Sequence, residues 1–179
     1  MRRLLLLRHA KTELAEPGGD DLARALVERG RKEAAQIGAY MASHALLPDR
    51  VLVSPAVRCQ ETWKLLAQAM RAPAERKPAV ATLEQIYDAA PEDLAGAILE
   101  TEAQVGALMI VGHNPGLHEV ALSLIASGSI DTREALREKL PPAGLIVIDF
   151  AYDDWRKLHP QSGRLERFVT PRSLDPASR

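Results

Sequence analysis

The sequence predicts an α/β fold: a three-layer α/β/α sandwich with a mostly parallel central sheet and an antiparallel strand at one edge. Three observations carry this. Leu4 to Leu7, Val51 to Val53 and Ala107 to Val111 are continuous apolar runs. That is the pattern of strands buried on both faces, as parallel sheets require. Between them lie segments whose apolar residues recur three and four apart, the pattern of helices that cover a sheet. The last two strand segments, Leu145 to Phe150 and Arg164 to Val169, have no obvious long helix between them, so an antiparallel pair at an edge follows. Regular alternation of strand and helix fits this layout better than an α+β one.

The elements follow in order. Leu4 to Leu7 is the first strand. Lys11 to Asp21 is loop, broken by Pro17-Gly18-Gly19. Leu26 to His44 is a helix with Ala34, Ile37 and Met41 on one face. Val51 to Val53 is the second strand, and Ser54-Pro55 opens a helix as N-cap and first helical residue. Its apolar stripe is Cys59, Thr62/Trp63, Leu66 and Met70. Val80 to Leu83 is a short strand, and Pro91 to Thr101 a helix with Glu92 and Asp93 in its first turn. After the strand at Ala107 to Val111, Asn114-Pro115 repeats the N-cap-plus-proline signal for a helix that runs to Ser127. Residues 1–170 read as a single domain and 171–179 as a loose tail.

A chain of 179 residues, 46% hydrophobic and 26% charged, can bury a core without disulfides or metals. The net charge of -1 gives no bulk attraction to nucleic acid or to anionic membranes. The lone Cys59 forbids an internal disulfide and fits a reducing compartment. Met1-Arg2-Arg3 before four leucines is too short for a signal peptide, and no run reaches transmembrane length. The expected location is the cytoplasm.

Three strand ends carry reactive side chains. The first strand ends at Arg8-His9. The second ends at Ser54, with Arg58 in the first turn of its helix. The strand at Ala107 to Val111 ends at His113. Ligands of open α/β sheets bind beyond the carboxyl ends of the strands. If these three strands are parallel neighbours, two arginines and two histidines meet there. Taken singly, each is an ordinary turn or helix residue; together they form a phosphate site. Two guanidinium groups can grip phosphate oxygens in pairs, and helix N-termini favour anions. A neutral imidazole can attack phosphorus, and neighbouring guanidinium groups keep His9 neutral. A second imidazole can hydrogen-bond the equatorial oxygens.

These residues sit in recognisable motifs. Leu7-Arg8-His9-Ala10-Lys11-Thr12 resembles the R-H-G signature of the histidine phosphatase superfamily, with the phosphoglycerate mutase-like fold. Val53 to Thr62 resembles its S-P-x-x-R-x-x-x-T motif, and Val111-Gly112-His113-Asn114-Pro115 its third. Tyr87-Asp88-Ala89 followed by Pro91-Glu92 resembles the SixA-type phosphohistidine phosphatases. Ala10 departs from the commoner glycine by one methyl group. The resemblance implies that His9 is the phosphorylated nucleophile, that Arg8, Arg58 and His113 complete the phosphate pocket, and that neither metal nor other cofactor is needed. It places the general acid among two carboxylates, Glu84 as the closer positional match and Asp88 as a residue that can instead cap a turn.

The expected activity is metal-independent hydrolysis of phosphate through phospho-His9, acting on phosphohistidine in proteins. A protonated phosphohistidine releases neutral imidazole and depends little on an acid, whereas an alkyl ester does need one. The short loop after the first strand and the short Ile130 to Pro142 stretch leave an open site, which suits a phosphorylated side chain on a protein. The partner is then a phosphorylated protein, or otherwise a small phosphorylated molecule, with no nucleic acid and no membrane. The alternatives are a small-molecule phosphomonoesterase of the same superfamily and a non-catalytic phospho-ligand binding module.

Other candidates are weaker. No arginine follows Cys59 at cysteine-phosphatase spacing, so Cys59 reads as core. His113 and His118 lack the remaining ligands of a metal site. His118 reads as a surface residue or a neighbour of the pocket, and His44 and His159 as surface residues. Lys11 is either a charge at the pocket mouth or a solvated loop residue. Trp63 belongs to an apolar stripe, and Tyr152 and Trp155 pack under the C-terminal strands.

Overall fold

The structure is a computed structural model and describes residues 1–178. The elements are β1 (Arg2–Arg8), α1 (Glu28–Ser43), β2 (Arg50–Val53), α2 (Val57–Met70), β3 (Ala79–Thr82), α3 (Pro91–Leu99), β4 (Ala107–Gly112), α4 (Gly116–Leu124), β5 (Ile125–Gly128), α5 (Ile130–Glu138), β6 (Leu145–Phe150), β7 (Gly163–Val169) and α6 (Pro171–Leu174). The strands form one seven-stranded sheet in the order β3-β2-β4-β1-β6-β7-β5. β1, β2, β3 and β4 run parallel, β6 runs antiparallel to both β1 and β7, and β5 is parallel to β7.

Alternation along each strand sends side chains to opposite faces. Leu4 and Leu6 of β1 join Leu108, Ile110, Ile146 and Ile148 in the layer under α3, α4 and α5. Leu5 and Leu7 join Met109, Val111, Val51, Val53 and Val147 under α1 and α2. All four leucines are fully buried, each worth about 1.5–3 kcal/mol relative to exposure. This is the three-layer arrangement the continuous apolar runs predict. Trp155 is fully buried with its Nε1–H donating to the Val105 carbonyl at 2.7 Å, and Tyr152 stacks on Phe150.

Several boundaries differ from the sequence expectation. The antiparallel strand is not at an edge. β6 is apolar on both faces and gains a hydrogen-bonded neighbour on each side, whereas the edges fall to β3 and β5, four-residue strands with exposed side chains. Short exposed edges resist unwanted pairing. The helix expected to reach Ser127 stops at Leu124. The chain then turns extended and lays Ile125–Gly128 along the outer side of β7, satisfying backbone groups that would otherwise lack partners. Ile130–Glu138, read only as a short stretch, forms α5 and buries Leu136. The tail is helical at its start: Thr170 and Ser173 cap Pro171–Leu174 reciprocally, and Leu174 packs on the α1 layer. No helix among the described residues is long and apolar enough to cross a membrane.

Candidate active site

The sheet order makes β2, β4 and β1 consecutive parallel neighbours, and their ends are level: Leu7 pairs with Val111, and Val53 pairs with Val111 on the other side. Arg8 and His9, His113, and Ser54 with Arg58 therefore arrive at one point beyond the sheet. They line a cleft of about 440 Å³ together with Thr12, Asp21, Arg24, Tyr87, Asp88 and Asn114. His9, Arg58 and His113 are each less than 10% exposed.

Local bonds fix each group. The His9 backbone N–H donates to Gly112 O at 3.1 Å, and Ala143 N–H donates to the Arg8 and His9 carbonyls. Thr62 Oγ1 accepts from Ala10 N at 3.0 Å and donates to Arg58 O at 2.6 Å, which ties the residue after His9 to the first turn of α2. Arg8 Nη1 and Asn114 Nδ2 both donate to Leu140 O at 3.0 Å. Ser54 Oγ lies 2.7 Å from His113 Nε2, and Arg58 Nη2 lies 3.3 Å from His113 Nδ1. Because the guanidinium can only donate, Nδ1 of His113 accepts and Nε2 carries the proton to Ser54. The expected N-cap at Ser54 is corrected: α2 starts at Val57 with Ala56 at its N-cap, and the Ser54 hydroxyl, two residues earlier, accepts from Ala56 N at 3.3 Å in the turn before the helix.

The two imidazoles are 5.4 Å apart between ring centroids. His9 Nδ1 lies 2.8 Å from Ala10 O, so Nδ1–H donates there and Nε2 keeps a lone pair. Burial, reinforced by the His113, Arg8 and Arg58 charges, lowers the His9 pKa to about 3 against the pull of the Ala10 carbonyl. Burial and the Arg58 charge lower His113 to about 4. Both are neutral near pH 7. Two guanidinium nitrogens, Arg8 Nε and Arg58 Nε, are buried and have no hydrogen-bond partner among the described residues. What points to an oxyanion is the lining itself: the Arg8, Arg24 and Arg58 guanidinium groups face one cleft beside two neutral imidazoles. A neutral imidazole lone pair beside a held oxyanion can attack its central atom.

The histidine phosphatase superfamily (branch 1) profile matches residues 4–84. The solved structure of an Agrobacterium tumefaciens protein assigned as the phosphohistidine phosphatase SixA is 30% identical, with a TM-score of 0.78 over 95% of this chain and 98% of that one. The chain belongs to the histidine phosphatase superfamily. Within it, the chain groups with the SixA-type members. The structure of the protein histidine phosphatase SixA complexed with tungstate shares the fold, with a TM-score of 0.75 over 97% of this chain and 99% of that one, at 16% identity. An uncharacterised Mycobacterium leprae protein, ML1117, is 31% identical over 170 residues, 93% of this chain and all of that protein.

In this superfamily member the structure brings Arg8, His9, Arg58 and His113 together. It separates the two carboxylate candidates. Glu84 is exposed on a turn, Glu84–Ile86, outside the cleft. Asp88 lines the cleft, held there by a left-handed backbone, φ 48°. The positional preference for Glu84 is thus corrected: the turn after β3 carries it outward. Gly116 explains why Asp88 sits so close, since a Cβ there would lie 1.9 Å from Ala89 O; only glycine lets this loop close on the start of α4. Lys11 is exposed and outside the cleft, and His118 bonds Leu136 O at 2.6 Å, linking α4 to α5. Cys59 is buried, and its thiol is pushed up to about 12 by that burial, so it is no nucleophile.

Sequence reasoning missed Asp21, Arg24 and Thr12, which it left in or beside a loop, and gave Tyr87 no role. Asp21 pairs with Arg58 at 3.0 Å and Tyr87 donates a hydrogen bond to it. Tyr87 stands edge-on to His113, 5.5 Å between ring centroids. An arginine three residues after an aspartate in a Pro-Gly-Gly loop was the available signal, and nothing local showed that the loop folds back over the sheet.

Proposed function

We propose that this chain is a phosphohistidine phosphatase that works through a covalent phospho-His9. His9 Nε2 attacks phosphorus with its lone pair; the bond from phosphorus to the substrate imidazole breaks, and that ring leaves with the electron pair as neutral imidazole. Water then attacks phospho-His9. Orthophosphate leaves, the displaced proton passes to solvent, and Nε2 recovers its pair. Arg8 and Arg58, which line the cleft, grip the equatorial oxygens through their guanidinium groups. His113 Nδ1 accepts from Arg58 Nη2 at 3.3 Å; when that N–H turns to the bound dianion, Nδ1 takes a proton and donates to the same oxygens, while Ser54 holds Nε2.

The observation that carries the reading is the arrival of Arg8, Arg58 and His113 around a neutral His9 at the level ends of three parallel strands, with the His9 Nε2 lone pair left free by the Nδ1–H bond to Ala10 O. The preference for a P–N bond rests on the carboxylates. Tyr87 foremost, together with Arg58 and Arg24, holds the Asp21 carboxyl at about 2, so it has no proton to give near neutrality. Asp88 remains as the one carboxylate in the cleft free of a guanidinium, and it is exposed. A cleft whose one unpaired carboxylate is exposed to solvent favours a leaving group that departs neutral. Side-by-side kcat/KM values on a phosphohistidine-bearing protein and on alkyl and aryl phosphate esters test this. Faster turnover of the phosphoramidate is expected; faster turnover of an ester would make the chain a small-molecule phosphomonoesterase, and binding with no turnover a phospho-ligand module.

A further inference from the structure

The loop after β1 delivers a negative charge into a cleft built for anions. Asp21 Oδ2 accepts from Arg58 Nη2 at 3.0 Å and from the Tyr87 hydroxyl, and Oδ1 accepts from Arg24 Nε at 3.0 Å. The Asp21 carbonyl accepts from Arg58 Nη1 at 2.7 Å. With His113 Nδ1 on the remaining Nη2 hydrogen, three of the five Arg58 N–H bonds are taken before any ligand arrives. The carboxylate is presented by a fixed turn. Asp20 Oδ1 caps it through Leu22 N at 3.1 Å, Thr12 bridges to Leu26, and Leu26 N donates to Glu61 Oε2 of α2 at 2.8 Å.

We propose that Asp21 is a specificity-determining residue: an internal counter-ion that competes with the phosphoryl group for Arg58 and Arg24, so that free phosphate and polyanionic molecules are held weakly. This rests on reading the cleft as a phosphoryl site. Arg8, Arg24 and Arg58 without Asp21 would bind the orthophosphate product tightly, and binding spent equally on product and transition state slows turnover. Asp21 offsets part of that charge at a distance of 3.0 Å from Arg58. A single phosphoryl group on a neutral ring meets little added repulsion. A small molecule with a second phosphate meets the Asp21 carboxylate directly. The occupant the cleft favours is therefore a lone phosphoryl group in surroundings poor in negative charge.

Calorimetric titration of orthophosphate and of pyrophosphate into the intact protein tests this, with wild type compared to Asp21→Asn and Asp21→Ser. Both variants should bind orthophosphate about tenfold tighter, the scale of a charged hydrogen bond partly screened by solvent, and pyrophosphate should gain more. The serine variant guards against a new bond from the asparagine amide to phosphate. A carboxylate that only braced Arg58 would, on removal, leave binding unchanged or weaker, and either result overturns the proposal. Unchanged affinity in a protein that still forms phospho-His9 defeats the role of Asp21 alone. Absence of both phosphate binding and phospho-His9 in wild type defeats the underlying reading as well.

Discussion

Two buried neutral histidines make this fold sensitive to mild acid. His9 and His113 have pKa values of about 3 and 4 in the folded chain, against about 6.5 when unfolded. Both folded values are depressed, so between pH 6.5 and pH 4 the unfolded chain binds protons that the native one refuses. Stability is fully present above pH 6.5 and falls as pH drops toward the folded values. Each histidine contributes about 1.4 kcal/mol per pH unit in that window. From pH 7.5 to 4.5 the pair should cost about 3–5 kcal/mol, a large share of an ordinary domain's stability. Asp21 acts in the same direction but lower, losing its contribution only as pH falls through the carboxylate range toward about 2. Urea denaturation followed by the fluorescence of fully buried Trp155 reports the effect. His9→Asn and His113→Asn should each flatten the acid limb by about half and the double variant should nearly abolish it. A double variant as acid-labile as wild type would refute the claim that these two rings are held neutral by burial.

Other outcomes follow from single contacts. Ser54→Ala strips the acceptor from His113 Nε2–H, and should cost about 1–3 kcal/mol in urea stability and about 10- to 100-fold in kcat, with KM little changed. Glu84→Gln, outside the cleft, should leave turnover of both substrate types as it was. Asp88→Asn should slow ester hydrolysis by on the order of 100-fold and phosphohistidine hydrolysis by less than about threefold, read as the ratio of the two kcat/KM values. Gly30→Ala would drive a Cβ to 2.1 Å from Lys11 O, so the N-terminus of α1 must part from the loop after β1. The urea midpoint should fall by the equivalent of about 3 kcal/mol.

Much of this was legible in the sequence because it lives in short segments. The strands β1, β2 and β4 are apolar on both faces, as a half-exposed strand is not, and the residues at or just after their ends lie in the cleft. Level parallel ends then do the assembly, so Arg8, His9, Arg58 and His113 could be named before any coordinate. What stayed hidden depends on chain reversal. β5 is recognisable only through the outer edge of β7, and β6 sits inside the sheet because β1 pairs with it, a fact no local pattern carries. Asp21 reaches Arg58, 37 residues further along the chain, because the loop after β1 folds back over the sheet on a course set by Thr12, Leu26 and Glu61. Glu84 looked as suitable as Asp88 because two loop carboxylates four residues apart differ only in which way the turn throws them. The left-handed residue at Asp88 and the close approach at Gly116 decide that, and both are tertiary facts.

The central claim is that His9 carries the phosphoryl group. Mixing the protein with a ³²P-labelled phosphohistidine donor and quenching within milliseconds to seconds measures it directly. The account predicts a label that survives alkali, is lost in acid, maps to the peptide containing His9, and is absent in His9→Ala while His113→Asn retains it and loses it more slowly to water. A label on any other residue, or steady release of orthophosphate by His9→Ala, would contradict the account.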